Sequence, residues 1–266
     1  MSDQGLGFEP LTGTDIVIPA SLDLSRYAIL LDIDGTILDI APTPHEVQVP
    51  DDLRRALKRL IERTDGALAL VSGRTLDDID KVFAPLRLAA VGGHGAELRP
   101  SPASGASERR AAFLDPELRR AVCAVGSHNS GVIVEDKGFS IAVHYRLAME
   151  KEVALKNGVY AACAAFPSAP IDVLPGKAVI EIKSRGFNKG TGVRELMTHM
   201  PFAGRLPLFI GDDTTDEDAF VVLPEFGGMG MSVGRVIPGA VGKFQAPNDV
   251  RQWLEQISQH ETILAP

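Results

Sequence analysis

Cysteine is nearly absent: Cys123 and Cys163 are the only two in 266 residues. Two thiols make no disulfide framework, so a packed core has to hold the fold, and reduced, buried cysteines are expected. Long apolar runs are missing too, and none approaches the ~18 residues that a membrane-spanning helix needs. Bases are outnumbered by acids, 27 Lys and Arg against 35 Asp and Glu, for a formal charge of −8. That balance opposes bulk attraction to nucleic acid or to an anionic membrane, so an anionic ligand must meet locally placed cations. The first 25 residues contain no Lys or Arg. They also lack a sustained apolar segment, so no secretory signal is expected, and the cytoplasm is the expected location. No surface feature asks for a dimer; a monomer is expected.

What the chain does have is enough apolar residues, 45%, to bury a large core, in one large domain or two modest ones. Residues 1–24 are rich in Gly, Pro, Asp and Ser, show no period, and are expected to form a loose tail. Beyond them, apolar runs of strand length alternate with amphipathic helices. The expected strands are Tyr27–Leu31, Ala67–Val71, Leu88–Val91, Leu206–Ile210 and Met229–Val233. The expected helices include Asp51–Thr64, with Leu53, Ala56, Leu57, Leu60 and Ile61 on one face, Asn188–Met200, and a terminal helix around Trp253. Continuous apolar strands joined by helices predict a parallel sheet covered on both faces.

The middle of the chain reads differently. A helix over Ala111–Val125, a hairpin across Asp136-Lys137-Gly138, a helix over Met149–Ala165 and a second pair of strands make an α+β unit. The expected division is a discontinuous core, 1–102 plus 186–266, with a cap inserted at 103–185.

Three core strands end in groups suited to phosphate chemistry. Tyr27–Leu31 runs into Asp32-Ile33-Asp34-Gly35-Thr36, Ala67–Val71 into Ser72-Gly73-Arg74, and Leu206–Ile210 into Gly211-Asp212-Asp213-Thr214-Thr215-Asp216. Open parallel sheets bind ligands at the carboxyl ends of their strands. Asp32 can attack phosphorus while Asp34 handles the leaving-group proton. Crowding Asp32, Asp34, Asp212 and Asp216 is costly, because two charges ~4 Å apart repel by roughly 4 kcal/mol at an effective dielectric of about 20. A cation relieves this, and all-oxygen ligands that keep room for water and a substrate phosphate favour Mg²⁺. Lys189 can keep Asp32 ionised and hold a phosphate oxygen, and Ser72 with the Gly73 N–H can hold another.

On the cap, Glu135 and Lys137 share one strand parity, His144 and Arg146 another, and Lys177, Glu181 and Lys183 a third, each opposite apolar residues. A sheet face that mixes acids and bases can hydrogen-bond sugar hydroxyls.

Together, the strand-end segments and Lys189 resemble the four motifs of the haloacid dehalogenase superfamily of phosphotransferases. More narrowly, they join with Gly93-His94-Gly95-Ala96-Glu97, Glu135-Asp136-Lys137, His144-Tyr145-Arg146, Gly176-Lys177 through Glu181-Ile182-Lys183, and Asn188-Lys189-Gly190 in a pattern similar to trehalose-6-phosphate phosphatases. Thr214-Thr215 departs from it, since that family more often has Leu-Thr there. The resemblance implies an α/β, Rossmann-like core with an inserted α+β cap. It also implies Mg²⁺-dependent hydrolysis of trehalose 6-phosphate through an aspartyl-phosphate. It makes Asp32 the nucleophile, Asp34 the acid/base, and Ser72 and Lys189 the phosphate holders. Metal contacts would come from Asp32, Asp34 through its backbone carbonyl, Asp212, Asp213 and Asp216. Substrate contacts would come from Gly35, Thr36, Gly73, Arg74, His94, Gly95, Glu135, Lys137, Arg146, Lys177 and Glu181. Alternative expectations are a phosphatase for sucrose phosphate or a glucosyl- or mannosyl-phosphoglycerate, and a non-catalytic sugar-phosphate sensor on the same fold.

Overall fold

The computed structural model describes residues 8–10, 23–41, 46–104, 108–127 and 129–259. The chain forms two compact units, one over Met1–Ile40, Val47–Glu108 and Asn188–Pro266, the other over Ala41–Glu46 and Arg109–Phe187. Against the expected edges at 102 and 186, the division falls after Glu108 and before Asn188, and Ala41–Glu46, expected in the core, groups with the second unit.

The first unit is built on a nine-stranded sheet. Its strands are β1 (Phe8–Pro10), β2 (Tyr27–Leu31), β3 (Leu68–Val71), β4 (Ala89–Gly92), β5 (Glu97–Arg99), β6 (Glu108–Arg109), β11 (Leu206–Gly211), β12 (Met229–Val233) and β13 (Ala240–Phe244). In space they run β1-β13-β12-β11-β2-β3-β4-β5-β6, with β13 through β4 parallel and β1 and β5 antiparallel additions. Strands β2 and β3 are buried along almost their whole length, as a sheet covered on both faces requires.

Alternate residues of each strand feed two separate cores. On one face Ile29, Leu31, Leu68, Leu70, Leu208 and Ile210 pack with α1 (Asp51–Arg63), α2 (Leu76–Phe83) and α7 (Pro247–Gln259). On the other face Ala28, Leu30, Ala69, Val71 and Phe209 meet α5 (Lys189–Leu196) and α6 (Glu217–Val222). In α1 the buried side chains are Leu53, Ala56, Leu57 and Leu60. Truncating a fully buried leucine of this kind costs about 2–5 kcal/mol.

The second unit carries a four-stranded antiparallel sheet, β7 (Ile133–Asp136), β8 (Ser140–His144), β10 (Val179–Ser184) and β9 (Ile171–Gly176), in that spatial order. Ile141, Val143, Tyr145, Ile180 and Ile182 pack with Leu118 and Val122 of α3 (Pro116–Ser127) and Leu155 and Val159 of α4 (Glu152–Ala164). Cys123 on α3 and Cys163 on α4 are free and only half-buried where full burial was expected, and what burial they have raises both thiols above the usual range.

Some local expectations shift. The helix expected over Ala111–Val125 begins at Pro116, because Asp115 takes the N–H groups of Glu117 and Leu118 and caps it there. Helix α5 starts behind Asn188, which forms a capping box with Thr191, and ends at Leu196 rather than Met200. After it the chain tightens into turns, with Thr198 N bonding Glu195 O and His199 N bonding Leu196 O. Phe8–Pro10 falls inside the expected tail yet pairs with β13; residues 1–7 and 11–22 lie outside the described ones. No helix among the described residues is long and apolar enough to cross a membrane.

Candidate active site

Parallel pairing brings the carboxyl ends of β2, β3 and β11 side by side. Asp32 N donates to Ile210 O at 2.9 Å and Ser72 N to Val91 O at 2.9 Å, which carries the sheet register into the motif loops. Asp32 is 4% exposed and Asp212 6%, so water screens neither well.

Helix α5 delivers Lys189 at its first turn. Its Nζ lies 2.7 Å from Asp32 Oδ1 and 2.7 Å from Asp216 Oδ1. Burial disfavours the charged ammonium, but Asp216 and Asp32 outweigh it and hold Lys189 far above its ordinary range. Asp32 is raised as well: burial lifts its carboxyl well above the usual range, opposed by Lys189 and reinforced by Asp216 and Asp212.

Asp32, Asp212 and Asp216 form a buried triad whose ligand-capable oxygens lie within 4.8 Å of one another. Thr36 Oγ1 sits 3.2 Å from Asp32 Oδ2 and 3.2 Å from Asp212 Oδ1. A hydroxyl has one proton, so it can serve only one of these oxygens at a time. With Lys189 as the cation between them, three carboxylates leave a formal excess of two negative charges. A divalent cation with oxygen preference fits that donor set and charge. Asp216 is the most committed of the three, since Oδ1 takes Lys189 and Oδ2 takes the Asp213 N–H at 2.9 Å.

Glycine makes the cradle narrow. Gly35 has φ +85°, and a Cβ there would lie 2.4 Å from Asp212 Oδ2. A Cβ on Gly73 would lie 2.3 Å from His94 Nε2, and one on Gly95, at φ +95°, 2.3 Å from Asn188 O.

Asp34 is held differently from Asp32. Arg74 grips it with a two-point fork, Nε to Oδ2 at 2.7 Å and Nη2 to Oδ1 at 2.7 Å. Ser72 is buried, and its Oγ accepts the Arg74 N–H at 3.2 Å. His94 is nearly buried in a left-handed conformation, φ 52°, with its N–H on Ser72 O. Asp213 caps the short turn Thr214–Asp216 through the Thr214 N–H.

In the second unit, register puts Glu135, Ala142 and Glu181 in one cross-strand row, with His144 and Lys183 on the same sheet face. Glu135 Oε2 lies 3.1 Å from His144 Nε2 and 3.7 Å from Lys137 Nζ. Arg146 and Lys177 are exposed at the strand ends, where Arg146 Nη2 donates to Lys177 O at 3.2 Å.

Two contributors escaped the sequence reading. Arg235 lies just past β12; its Nε donates to Asp212 O at 3.1 Å and its Nη2 lies 3.9 Å from Asp213. The strand-end rule, applied to Met229–Val233, would have marked it. Glu97 belongs to a noted motif but had no assigned role; its Oε2 accepts the Leu76 N–H at 2.9 Å, at the start of α2 behind the Ser72 loop.

The family model for trehalose-phosphatase matches residues 30–243, most of the chain, including every motif just described in the first unit. The chain belongs to the trehalose-phosphatase family. As a trehalose-phosphatase it is a phosphoric monoester hydrolase. It is 39% identical over 234 residues to a probable trehalose-phosphate phosphatase of Sinorhizobium fredii, covering 87% of each chain. It is 36% identical over 251 residues to the trehalose-6-phosphate phosphatase of Escherichia coli, covering 94% of this chain and 91% of that one. Among solved structures, the C-terminal domain of C. albicans trehalose-6-phosphate phosphatase aligns with a TM-score of 0.76 and 23% identity, over 88% of this trehalose-phosphatase and 92% of that domain. That likeness shows a shared fold built on a parallel-sheet core.

Proposed function

We propose that this chain hydrolyses trehalose 6-phosphate to trehalose and inorganic phosphate, with Mg²⁺, through a phosphoryl group carried on Asp32. The observation that supports this best is Lys189, buried 2.7 Å from Asp32 Oδ1 beside a triad of acids. A lone buried carboxylate would tend to protonate; Lys189 opposes that, burial and the neighbouring acids still leave Asp32 raised, and a divalent cation at the triad would supply the remaining charge that ionises the nucleophile.

In the first step an oxygen of Asp32 attacks phosphorus, the bond to the sugar oxygen breaks, and Asp34 gives that oxygen its proton. In the second, water attacks the same phosphorus and gives a proton back to Asp34, and Asp32 leaves as carboxylate. Ser72, the Gly73 N–H and Lys189 hold the equatorial oxygens throughout. Asp32, Asp212 and the Asp34 carbonyl would hold Mg²⁺, with Asp216 and Asp213 around them. Bound there, the ion supplies charge neutralisation for the acids and for the transferring group.

The sugar is the second half of the reading. Glu135, Lys137 and Glu181, with Arg146 and Lys177 at the strand ends, offer the mixture of acceptors and donors that glucosyl hydroxyls need. Gly35, Thr36, His94 and Gly95 complete the candidate contacts near the phosphate, and Arg74 lies beside them with its guanidinium on Asp34.

Phosphate release from a panel of sugar phosphates, with and without chelator, tests both halves. Preferred cleavage of trehalose 6-phosphate that stops with EDTA and returns with Mg²⁺ is the expected result. Clear preference for sucrose phosphate or a glycosyl-phosphoglycerate would overturn the substrate, and chelator-resistant turnover would overturn the metal.

A further inference from the structure

We infer that Arg74 is the positioning residue of the acid/base Asp34 rather than a contact for substrate. The inference rests on the mechanism proposed above and sharpens it.

Both Asp34 oxygens accept from one guanidinium, at 2.7 Å each. A fork of this kind fixes the carboxylate plane, which a single hydrogen bond leaves free to turn. The Arg74 side chain is 11% exposed and that of Asp34 38%. The guanidinium thus sits on the protein side of the pair, and the carboxylate keeps an open edge where a leaving oxygen or a water can reach it. Arg74 is itself anchored, its N–H on Ser72 Oγ at 3.2 Å and its carbonyl taking the Gly93 N–H at 2.8 Å. Ser72, which would hold phosphate, and Asp34, which would move the proton, are therefore tied through one residue.

Asp34 needs this help for a geometric reason. It follows Asp32 by two residues at a strand end, and Gly35 at φ +85° turns the chain directly after it. Asp32 is locked by Lys189 and Thr36; the corresponding lock on Asp34 is Arg74. A general acid must stand within hydrogen-bond reach of its proton's destination, and misplacing it forfeits part of the ~10²–10⁴-fold such groups supply.

The test compares Arg74→Met and Arg74→Lys in the full-length chain, on trehalose 6-phosphate and on an aryl phosphate whose leaving group needs no proton. With the sugar phosphate, kcat should fall about 10²-fold while KM changes little. With the aryl phosphate, phosphorylation of Asp32 persists but water attack slows, so a burst of phenol near one equivalent should precede a slow steady state. In an Asp34→Asn background, Arg74→Met should add almost nothing, as expected for residues acting as a unit. Methylguanidinium added to Arg74→Gly should restore part of the rate. A rise in KM with kcat retained, or losses that add to those of Asp34→Asn, would overturn the inference. If Arg74→Met does not fold, Arg74→Lys carries the same comparison, since an ammonium cannot make the fork. Should trehalose 6-phosphate prove the wrong substrate, the aryl phosphate arm and the double mutant still decide the role of Arg74.

Discussion

The ammonium of Lys189 rests 2.7 Å from Asp32 Oδ1, with 3% and 6% of the two side chains exposed. One helix N-terminus and one strand end, 157 residues apart in the chain, meet in this contact. It opposes the burial and the acidic neighbours that raise the Asp32 carboxyl, and it leaves Asp32 dependent on a lysine that secondary structure alone would put on a solvated helix start.

Replacing Lys189 with Met should destabilise the fold by about 3–5 kcal/mol, because Asp32 and Asp216 lose a buried counter-charge. Urea denaturation measures it. Adding Asp216→Asn to Lys189→Met should recover part of the loss; no recovery would mean that charge is not the cause.

The pH dependence follows from two upward shifts, one on a base and one on an acid. Lys189 is raised, so the stability it contributes is full below its unfolded value of about 10.4 and is lost only in strong alkali. Asp32 is also raised, above the ordinary value of about 3.9, so without metal its contribution is lost as pH climbs through its folded value. Mg²⁺ should therefore bind and stabilise the chain more at pH 8 than at pH 5, the stabilisation reaching about 2.7 kcal/mol wherever the ion is at a hundredfold excess over its Kd. Equal melting shifts at both pH values would place the ion away from the Asp32–Asp212–Asp216 triad.

Gly35→Ala should weaken metal binding before it weakens substrate binding. The new Cβ would press on the Asp212 carboxylate at 2.4 Å, and φ +85° adds strain of about 1–3 kcal/mol. The Mg²⁺ concentration for half-maximal activity should rise tenfold or more. An unchanged midpoint would show that Asp212 does not hold the ion.

Asp32→Asn keeps the size of the side chain and one acceptor for Lys189 but removes the nucleophile. Turnover should drop by at least about 10³-fold while calorimetry still detects substrate binding. Retained turnover would end the covalent mechanism.

Glu181→Gln should lower the ratio of kcat/KM for trehalose 6-phosphate over an aryl phosphate by about tenfold, the scale of one hydrogen bond to a charged group. An unchanged ratio would remove Glu181 from sugar recognition.

Much of this was readable in one dimension because the relevant signals are local. Tyr27–Leu31 and Met229–Val233 appear as strands over the residues their apolar runs suggested. Of the expected face, Leu53, Ala56, Leu57 and Leu60 are buried and Ile61 is half-buried against the same core. Failures came where a short polar signal outweighed a long apolar one. Asp115 and Pro116 start α3 five residues later than the apolar pattern suggested. Strand β13, Ala240–Phe244, went unread because Gly242 and Lys243 break its apolar character.

Residue chemistry and spacing along the chain dictated the kinds of groups available: paired acids at a strand end, a serine at the next, a lysine at a helix start. Which of them touch was chosen by the parallel order of β11, β2 and β3 and by how α5 docks on that sheet. That packing put Lys189 on Asp32 and Asp216, and Arg74 on Asp34. Charges this deeply buried find partners by proximity in space, and proximity across a folded sheet is a property no local pattern encodes.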